Sequence, residues 1–432
     1  MMDKFDEIIG YSAIKRELRQ IADILKNRDA YDKLGAVAPR GLLLYGPPGV
    51  GKSLMAAAVI EESDRRVFVC RKDRPDGDFV KEIKATFDKA VANAPAIVYL
   101  DDMDKFANGD EDHPDAEEYV TVQSCMDEAR GKAVFVLATA NSIRCLPHSL
   151  RRAGRFDRLI KVDVPWGADA VKITAHFLAS KKVVKDVNPE TIARILDGRS
   201  CAELETVINE AGLYAGYERA ESITMDHLMK ACMRVVFGVL PCEDACTGDL
   251  SDPANVASQV VYHEAGHAVV SEVLCPESVT IVSVHKRGKD MRGFTAYCTD
   301  GRLTPLYQVK SHIVRSLGGM AAVEQRFGIL DCGSSEDLER AFAHTDKLVT
   351  EMCMSGLHLH GGDFGYTSHL QSQQEQVVSA EVEKFYRKAK EIIALNREFF
   401  EKIAAALGEK HMLSALDMKA IKAECKIVSV AL

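Results

Sequence analysis

Two short stretches of this 432-residue chain carry residue types whose spacing can do chemistry. The first is Gly46-Pro47-Pro48-Gly49-Val50-Gly51-Lys52-Ser53, followed by Leu54. It fits the phosphate-cradling pattern G-x-x-x-x-G-K-[ST]. The glycines let successive backbone N–H groups curl around phosphate oxygens. Lys52 brings a point charge to the β/γ-phosphates, and the Ser53 hydroxyl suits Mg²⁺. Gly46 to Leu54 is therefore the candidate loop for ATP with Mg²⁺. The second stretch is His263-Glu264-Ala265-Gly266-His267, an H-E-x-x-H pattern. On a helix, positions i and i+4 project from one face. Both imidazoles can then ligate one Zn²⁺, with Glu264 placed to take a proton from the attacking water.

Each motif needs elements to hold it. An apolar strand, GLLLY, precedes the first loop, and a helix, SLMAAAVIEES, follows it. The helix N-terminus adds its dipole to an anion site. A second apolar run, Ala96–Leu100, ends in Asp101-Asp102. Asp101 there suits Mg²⁺ held through water, and Asp102 suits polarisation of the attacking water. Strand-like runs alternate with helical stretches over residues 1–165, which predicts an α/β domain with a parallel sheet covered by helices. Residues 166–237 read as a small helical lid, with apolar residues at helical spacing. Residues 238–255 hold two Pro, two Gly and several acids without periodicity, as a linker does. Residues 256–432 read as a mainly α-helical domain interrupted by a β-hairpin at Val279–Tyr297.

The order of phosphate loop, acidic strand end, Thr139-Ala140-Asn141 and Leu150–Arg158 resembles an AAA+ ATPase of the FtsH type, and the H-E-x-x-H segment behind it resembles that family's zinc peptidase. The resemblance implies an ATP-dependent zinc metalloendopeptidase that degrades protein substrates, assembled as a ring and usually a hexamer. It implies that Asn141 orients the attacking water and that Arg152 and Arg155 act on the neighbouring subunit's nucleotide. Ile9 and Gly10 would lie near the adenine, and Gly198–Leu204 would begin a lid helix that also touches the nucleotide. The family takes its third zinc ligand from an Asp at a distant helix start. Gly333-Ser-Ser-Glu336-Asp337 matches, with Asp337 in the ligand position and Glu336 as its rival, since both acids also complement a helix dipole. Glu324, in another matching segment, either supports a zinc ligand or is structural. Gly293–Tyr297 resembles the strand that pairs with an extended substrate. His358 and His360 read as a surface loop.

Two departures bear on the motor. The family has Glu where this chain has Asp102, whose carboxylate sits about 1.5 Å further back, one C–C bond. Displacements near 1 Å cost on the order of 10²-fold in rate. The family's substrate-gripping aromatic triplet is replaced by a shortened segment, Arg71–Phe79, whose one aromatic, Phe79, also fits the core of the next helix. The alternative function is thus a slow ATP switch or remodelling ring, its peptidase limited to short or unfolded chains.

The net charge of −9 argues against general nucleic-acid binding. Twelve cysteines without a repeated spacing read as reduced thiols, which suits a cytoplasmic protein. The start lacks a signal-peptide pattern. No apolar run reaches the length of about 18 residues needed to span a bilayer, so membrane contact is expected only through a partner.

Overall fold

The computed structural model describes residues 3–72, 78–107, 116–184, 187–239, 250–285, 293–298, 305–330, 332–360 and 368–432. Contacts divide the chain into one compact unit, Met1–Leu228, and a second, Met229–Leu432. The division falls inside a helix, whereas the sequence reading ends the lid at residue 237. Most of the expected linker, 240–249, lies outside the described residues, as do 73–77 of the shortened segment and 286–292 of the hairpin.

The first unit opens with helices α1 (Ser12–Lys26) and α2 (Arg28–Asp32). It then alternates β1 (Gly41–Tyr45), α3 (Lys52–Glu62), β2 (Arg66–Arg71), α4 (Phe79–Ala92), β3 (Ala96–Asp101), α5 (Glu117–Glu128), β4 (Val134–Ala140) and β5 (Arg158–Lys161). The five strands form one parallel sheet in the order β2-β3-β4-β1-β5. Side chains on a strand alternate between faces, and the cores follow that rule. Leu43, Val98, Leu100, Val136 and Ala138 pack on the α4–α5 side. Leu42, Leu44, Ile97, Phe135 and Leu137 pack on the α1–α3 side. Burial on both faces explains the unbroken apolar runs of β1, β3 and β4. Phe79 belongs to this core: it is buried, and its ring meets Phe106 edge-on at 4.8 Å. It is therefore a packing residue at the start of α4. The lid follows as α6 (Gly167–Ala179), α7 (Pro189–Ile195) and α8 (Cys201–Tyr217), and α9 (Met225–Phe237) carries the chain across the division.

The second unit is built around α10 (Val256–Leu274). Val261 and Tyr262 are buried, as is every residue from Glu264 to Leu274. A helix rich in β-branched valine has modest intrinsic stability, so burial on all sides holds it. Around it lie β6 (Val279–Ser283), β7 (Phe294–Tyr297), α11 (Pro305–Ser316), α12 (Gly318–Phe327), α13 (Ser335–Thr350), α14 (Ser368–Leu395), α15 (Arg397–Lys410), β8 (Met412–Ser414) and α16 (Ala415–Ala423). The expected hairpin strands pair antiparallel, and β8 adds a third strand in the order β7-β6-β8. Among the described residues no helix is long and apolar enough to cross a membrane.

The contact that places α10 is its crossing with α12. A Cβ on Gly266 would lie 2.4 Å from the Gly318 carbonyl oxygen and 2.4 Å from Ala322 Cβ. Helix propensity alone favours Gly266→Ala by about 1 kcal/mol. Forced separation of the two backbones costs about 1–3 kcal/mol and reverses the sign. Gly266→Ala is therefore expected to speed hydrogen exchange of the α10 amides; slower exchange would show that the helices are not in this contact.

Candidate functional site

Sheet order brings three strand ends together in the first unit. In register, Tyr45 of β1 lies opposite Ala140 of β4, and Leu100 of β3 opposite Ala138. The residues that follow each strand therefore share one edge, where open α/β sheets bind ligands. Gly46 packs so tightly that a Cβ would fall 1.9 Å from the Val162 carbonyl oxygen. Gly51 caps α3 at φ 96° with no side-chain cap, which leaves the first N–H groups of that helix for an anion. Lys52 Nζ donates to the Gly46 and Pro47 carbonyls at 2.7 and 2.8 Å and to Asn141 Oδ1 at 2.9 Å. Burial lowers the Lys52 pKa, against the opposing charges of Asp104, Asp102 and Asp101. Ser53 and Leu54 are exposed beside it. These features fit a nucleotide triphosphate with Mg²⁺.

The acids divide their work in a way the motif does not reveal. Asp101 Oδ1 accepts from the Tyr99 hydroxyl at 2.6 Å and from Thr139 Oγ1 at 2.9 Å. Asp102 takes a left-handed backbone, φ 52°, and its carboxylate pairs with Lys105 Nζ at 2.6 Å. Asp104 is the acid that turns to Asn141: its carboxylate accepts the Asn141 backbone N–H at 2.9 Å and the Nδ2 group at 3.0 Å. Sequence reasoning missed Asp104. Three acids within four residues were the signal, and the turn at Asp102 decides which one faces inward.

The lid closes on the same loop. Ser200 and Glu203 form a capping box at the start of α8, and the Ala202 N–H donates to the Gly49 carbonyl at 3.0 Å. Gly10 stands against Asp169 of α6, 3.1 Å from a would-be Cβ, with half-buried Ile9 beside it. Arg155 is tied within its own subunit, to Asp127 at 2.8 Å and to the Ser149 carbonyl at 2.5 Å. Arg152 is exposed and makes no ion pair among the described residues.

In the second unit, α10 and α13 bring Asp337 to His263 and His267, 74 and 70 residues earlier in the chain. His263 Nε2 and His267 Nε2 lie 2.9 Å apart, and Asp337 Oδ2 lies 3.2 Å from each. Tetrahedral Zn²⁺ with bonds of about 2.0 Å has donor–donor edges of about 3.3 Å, so the triangle fits one face of that coordination and leaves the fourth position open. His267 Nδ1 lies 2.7 Å from the Arg315 carbonyl. A carbonyl only accepts, so Nδ1 carries the proton and Nε2 offers its lone pair to a metal. Gly319 makes room for the other ring: a Cβ there would sit 2.4 Å from His263 Cε1.

Asp337 and its rival part clearly. The Asp337 side chain is 15% exposed and the Glu336 side chain 66%, the latter pairing with Arg340 in solvent. Burial raises the Asp337 pKa, but the two imidazoles outweigh it and hold the carboxyl far below its usual range. Glu264 is buried, and burial pushes its carboxyl up against the pull of His263, His267 and Thr295. Its Oε2 accepts from Thr295 Oγ1 of β7 at 2.7 Å, and Gly293 leaves the space beside Oε1. Glu324 instead accepts from the Tyr386 hydroxyl and pairs with Lys390 at 2.7 Å, a structural role. Exposed His360 meets the Thr350 carbonyl, on a surface turn; the His358 side chain lies outside the described residues.

The donor set predicts metal content directly. Asp337→Asn is expected to lower zinc per chain from one to well below half in elemental analysis after dialysis. Glu336→Gln and Glu264→Gln are expected to keep it. Equal loss from both acid variants would remove Asp337 from the site.

Comparison with known proteins gives three family matches along the chain. The ATPase family associated with various cellular activities (AAA) matches residues 42–164, the AAA+ lid domain 186–230, and peptidase family M41 254–421. The ATP-dependent zinc metalloprotease FtsH of Ureaplasma parvum serovar 3 is 31% identical over 94% of this chain and 59% of its own length. That of Thermotoga maritima is 31% identical over 97% of this chain and 73% of its own. FtsH 3 of Symbiobacterium thermophilum is 30% identical over 96% and 70%. The chain thus spans between 59% and 73% of these relatives.

Proposed function

The chain belongs to the FtsH family of ATP-dependent zinc metalloproteases, and from that premise we propose that it hydrolyses ATP to feed protein chains to a zinc peptidase centre. The observation that carries the reading is the His263–His267–Asp337 triangle, with the buried carboxylate of Glu264 beside it. His263, His267 and Asp337 would hold the zinc, which when bound supplies a Lewis acid for the peptide carbonyl. Glu264 takes the proton of the attacking water and returns it to the leaving amine. Its burial excludes bulk water and holds its affinity for a proton above that of a free carboxylate. Thr295 fixes the Oε2 edge of that carboxylate.

At the nucleotide, Gly46–Leu54 bind the phosphates and Asp101 with Ser53 hold Mg²⁺. Asp102 and Asn141 position the water, Asn141 being itself held by Asp104. Ile9 and Gly10 line the adenine side. We propose a homo-oligomeric ring, six subunits by family analogy, in which Arg152 reaches the neighbour's nucleotide and Arg155 braces it. Cys70, Cys125 and Cys275 are free and buried, in keeping with the reducing, cytoplasmic setting proposed here. The domains are proposed as residues 1–165, 166–237, 238–255 and 256–432. Nucleic acid has no part in this reading.

Purified protein tests the core of it. Casein is expected to be degraded, a stably folded substrate to need ATP, and Lys52→Ala to abolish ATP turnover; undiminished turnover in that variant would sink the nucleotide assignment.

Two observations favour the slow-motor version. The Asp102 carboxylate is both short and paired with Lys105, and Phe79 is in the core and grips nothing. Asp102→Glu is expected to raise ATP turnover about tenfold. Rapid degradation of a stably folded substrate by the natural chain would refute weak coupling.

A further inference from the structure

Arg315, near the end of α11, is not used by the chemistry above except through its backbone carbonyl. The residue is only 8% exposed. A buried charge needs a partner, yet its Nε is shielded from solvent without one, and no carboxylate among the described residues pairs with the guanidinium. What the guanidinium does touch is the ring of Tyr297, 4.6 Å from its carbon. Stacking uses the flat face of the group and leaves its in-plane N–H fork available. His312, one turn back on α11, is pushed down to about 4 by burial and by the Arg315 charge, so it stays neutral, with His344 at 5.2 Å beyond it.

The position matters as much as the vacant fork. Tyr297 lies two residues from Thr295 on β7, and alternate strand residues share a face. The Thr295 hydroxyl donates to Glu264, and the Arg315 carbonyl receives His267. Arg315 therefore abuts the centre through its backbone and through its stacked partner. A planar fork of donors matches a carboxylate, which it binds through two parallel N–H···O bonds.

We propose that Arg315, stacked on Tyr297, forms a carboxylate-binding subsite beside the His263–His267–Asp337 centre, selecting peptides with an acidic group within two residues of the scissile bond. The proposal rests on the peptidase reading. The acidic group is a Glu or Asp side chain, or the free carboxylate of a chain end.

The test uses the full chain, zinc-loaded, in the Glu264→Gln background so that bound peptides persist. Fluorescence anisotropy compares one neutral parent peptide with versions carrying Glu in place of Gln at each of the two positions on either side of the cleaved bond. A further pair has a free or an amidated C-terminus at the same distance. One acidic version is expected to bind at least about tenfold more tightly than its neutral counterpart, and which pair shows it distinguishes side chain from chain end. Arg315→Met, which keeps the buried stem, is expected to bring that ratio to about one, and Arg315→Lys to restore part of it, with zinc content unchanged in both. Equal affinity for acidic and neutral peptides, or binding of neither, overturns the subsite, and this arm needs no Arg315 variant to fold. A ratio that survives Arg315→Met also overturns it. In the natural chain, equal cleavage of both peptides sinks the subsite alone. Selective binding without any cleavage would sink the peptidase reading and leave the subsite standing.

Discussion

The close crossing of α10 and α12 at Gly266 and Gly318 is the constraint on which the peptidase half of the molecule depends. A metal site tolerates donor displacements of a few tenths of an ångström, so its ligands must be held by backbones that cannot drift. With no Cβ at Gly266, α12 comes near enough for Gly319 to lie under the His263 ring. The turn before α12 then brings the end of α11 to His267, where the Arg315 carbonyl fixes the imidazole's tautomer. α13 delivers Asp337 into the remaining gap. Each donor comes from a different packing contact, yet all three refer back to one helix crossing. That is why α10 is apolar around nearly its whole circumference and still carries a Glu and two His.

The nucleotide half solves the same problem with a sheet. Parallel strands β3, β4 and β1 lie side by side, so residues far apart in sequence emerge at one edge in fixed register. Hydrogen bonds then link the three strand ends: Thr139 to Asp101, Asp104 to Asn141, Asn141 to Lys52. A network of this kind sets the lysine and the water-positioning amide before any ligand arrives. Asp102 stands partly outside it. Its left-handed backbone directs the carboxylate to Lys105, and an Asp tolerates that conformation better than most residues.

How much of this is legible in sequence follows from the distance over which each feature is determined. The phosphate loop and the paired histidines are local, and spacing alone reveals them. The buried strands announce themselves as apolar runs because both faces are covered. Asp337 is visible only through family resemblance, since nothing within the chain links it to residues some 70 positions earlier. Asp104 is hidden by a single backbone angle. Thr295 and Arg315 act through tertiary contacts, and a lone Thr or Arg on a strand or helix carries no signal of that. β8 is three residues long, too short for alternation to show, and exists only because β6 offers it an edge. Phe79 reads two ways in sequence because an aromatic at a helix start serves a core and a pore equally well.

The charged groups buried around α10 separate into two kinds, and the difference bears on function. Glu272 is 3% exposed, and it is fully matched: Lys422 Nζ lies 2.8 Å away, and the Glu277 and Val279 N–H groups donate to it at 3.0 and 3.1 Å. Both oxygens have donors, so the carboxylate serves to join α10 to α16 and the turn into β6. Glu264, on the same helix and about as deep, has one side-chain donor, Thr295. Arg315 has an aromatic face and an unanswered fork. Folding gains nothing by leaving such groups incomplete, because an unmatched buried charge opposes stability. Incomplete matching persists where a ligand completes it, and here Glu264 follows His263 on α10 while the backbone of Arg315 holds His267, so both border the three zinc donors.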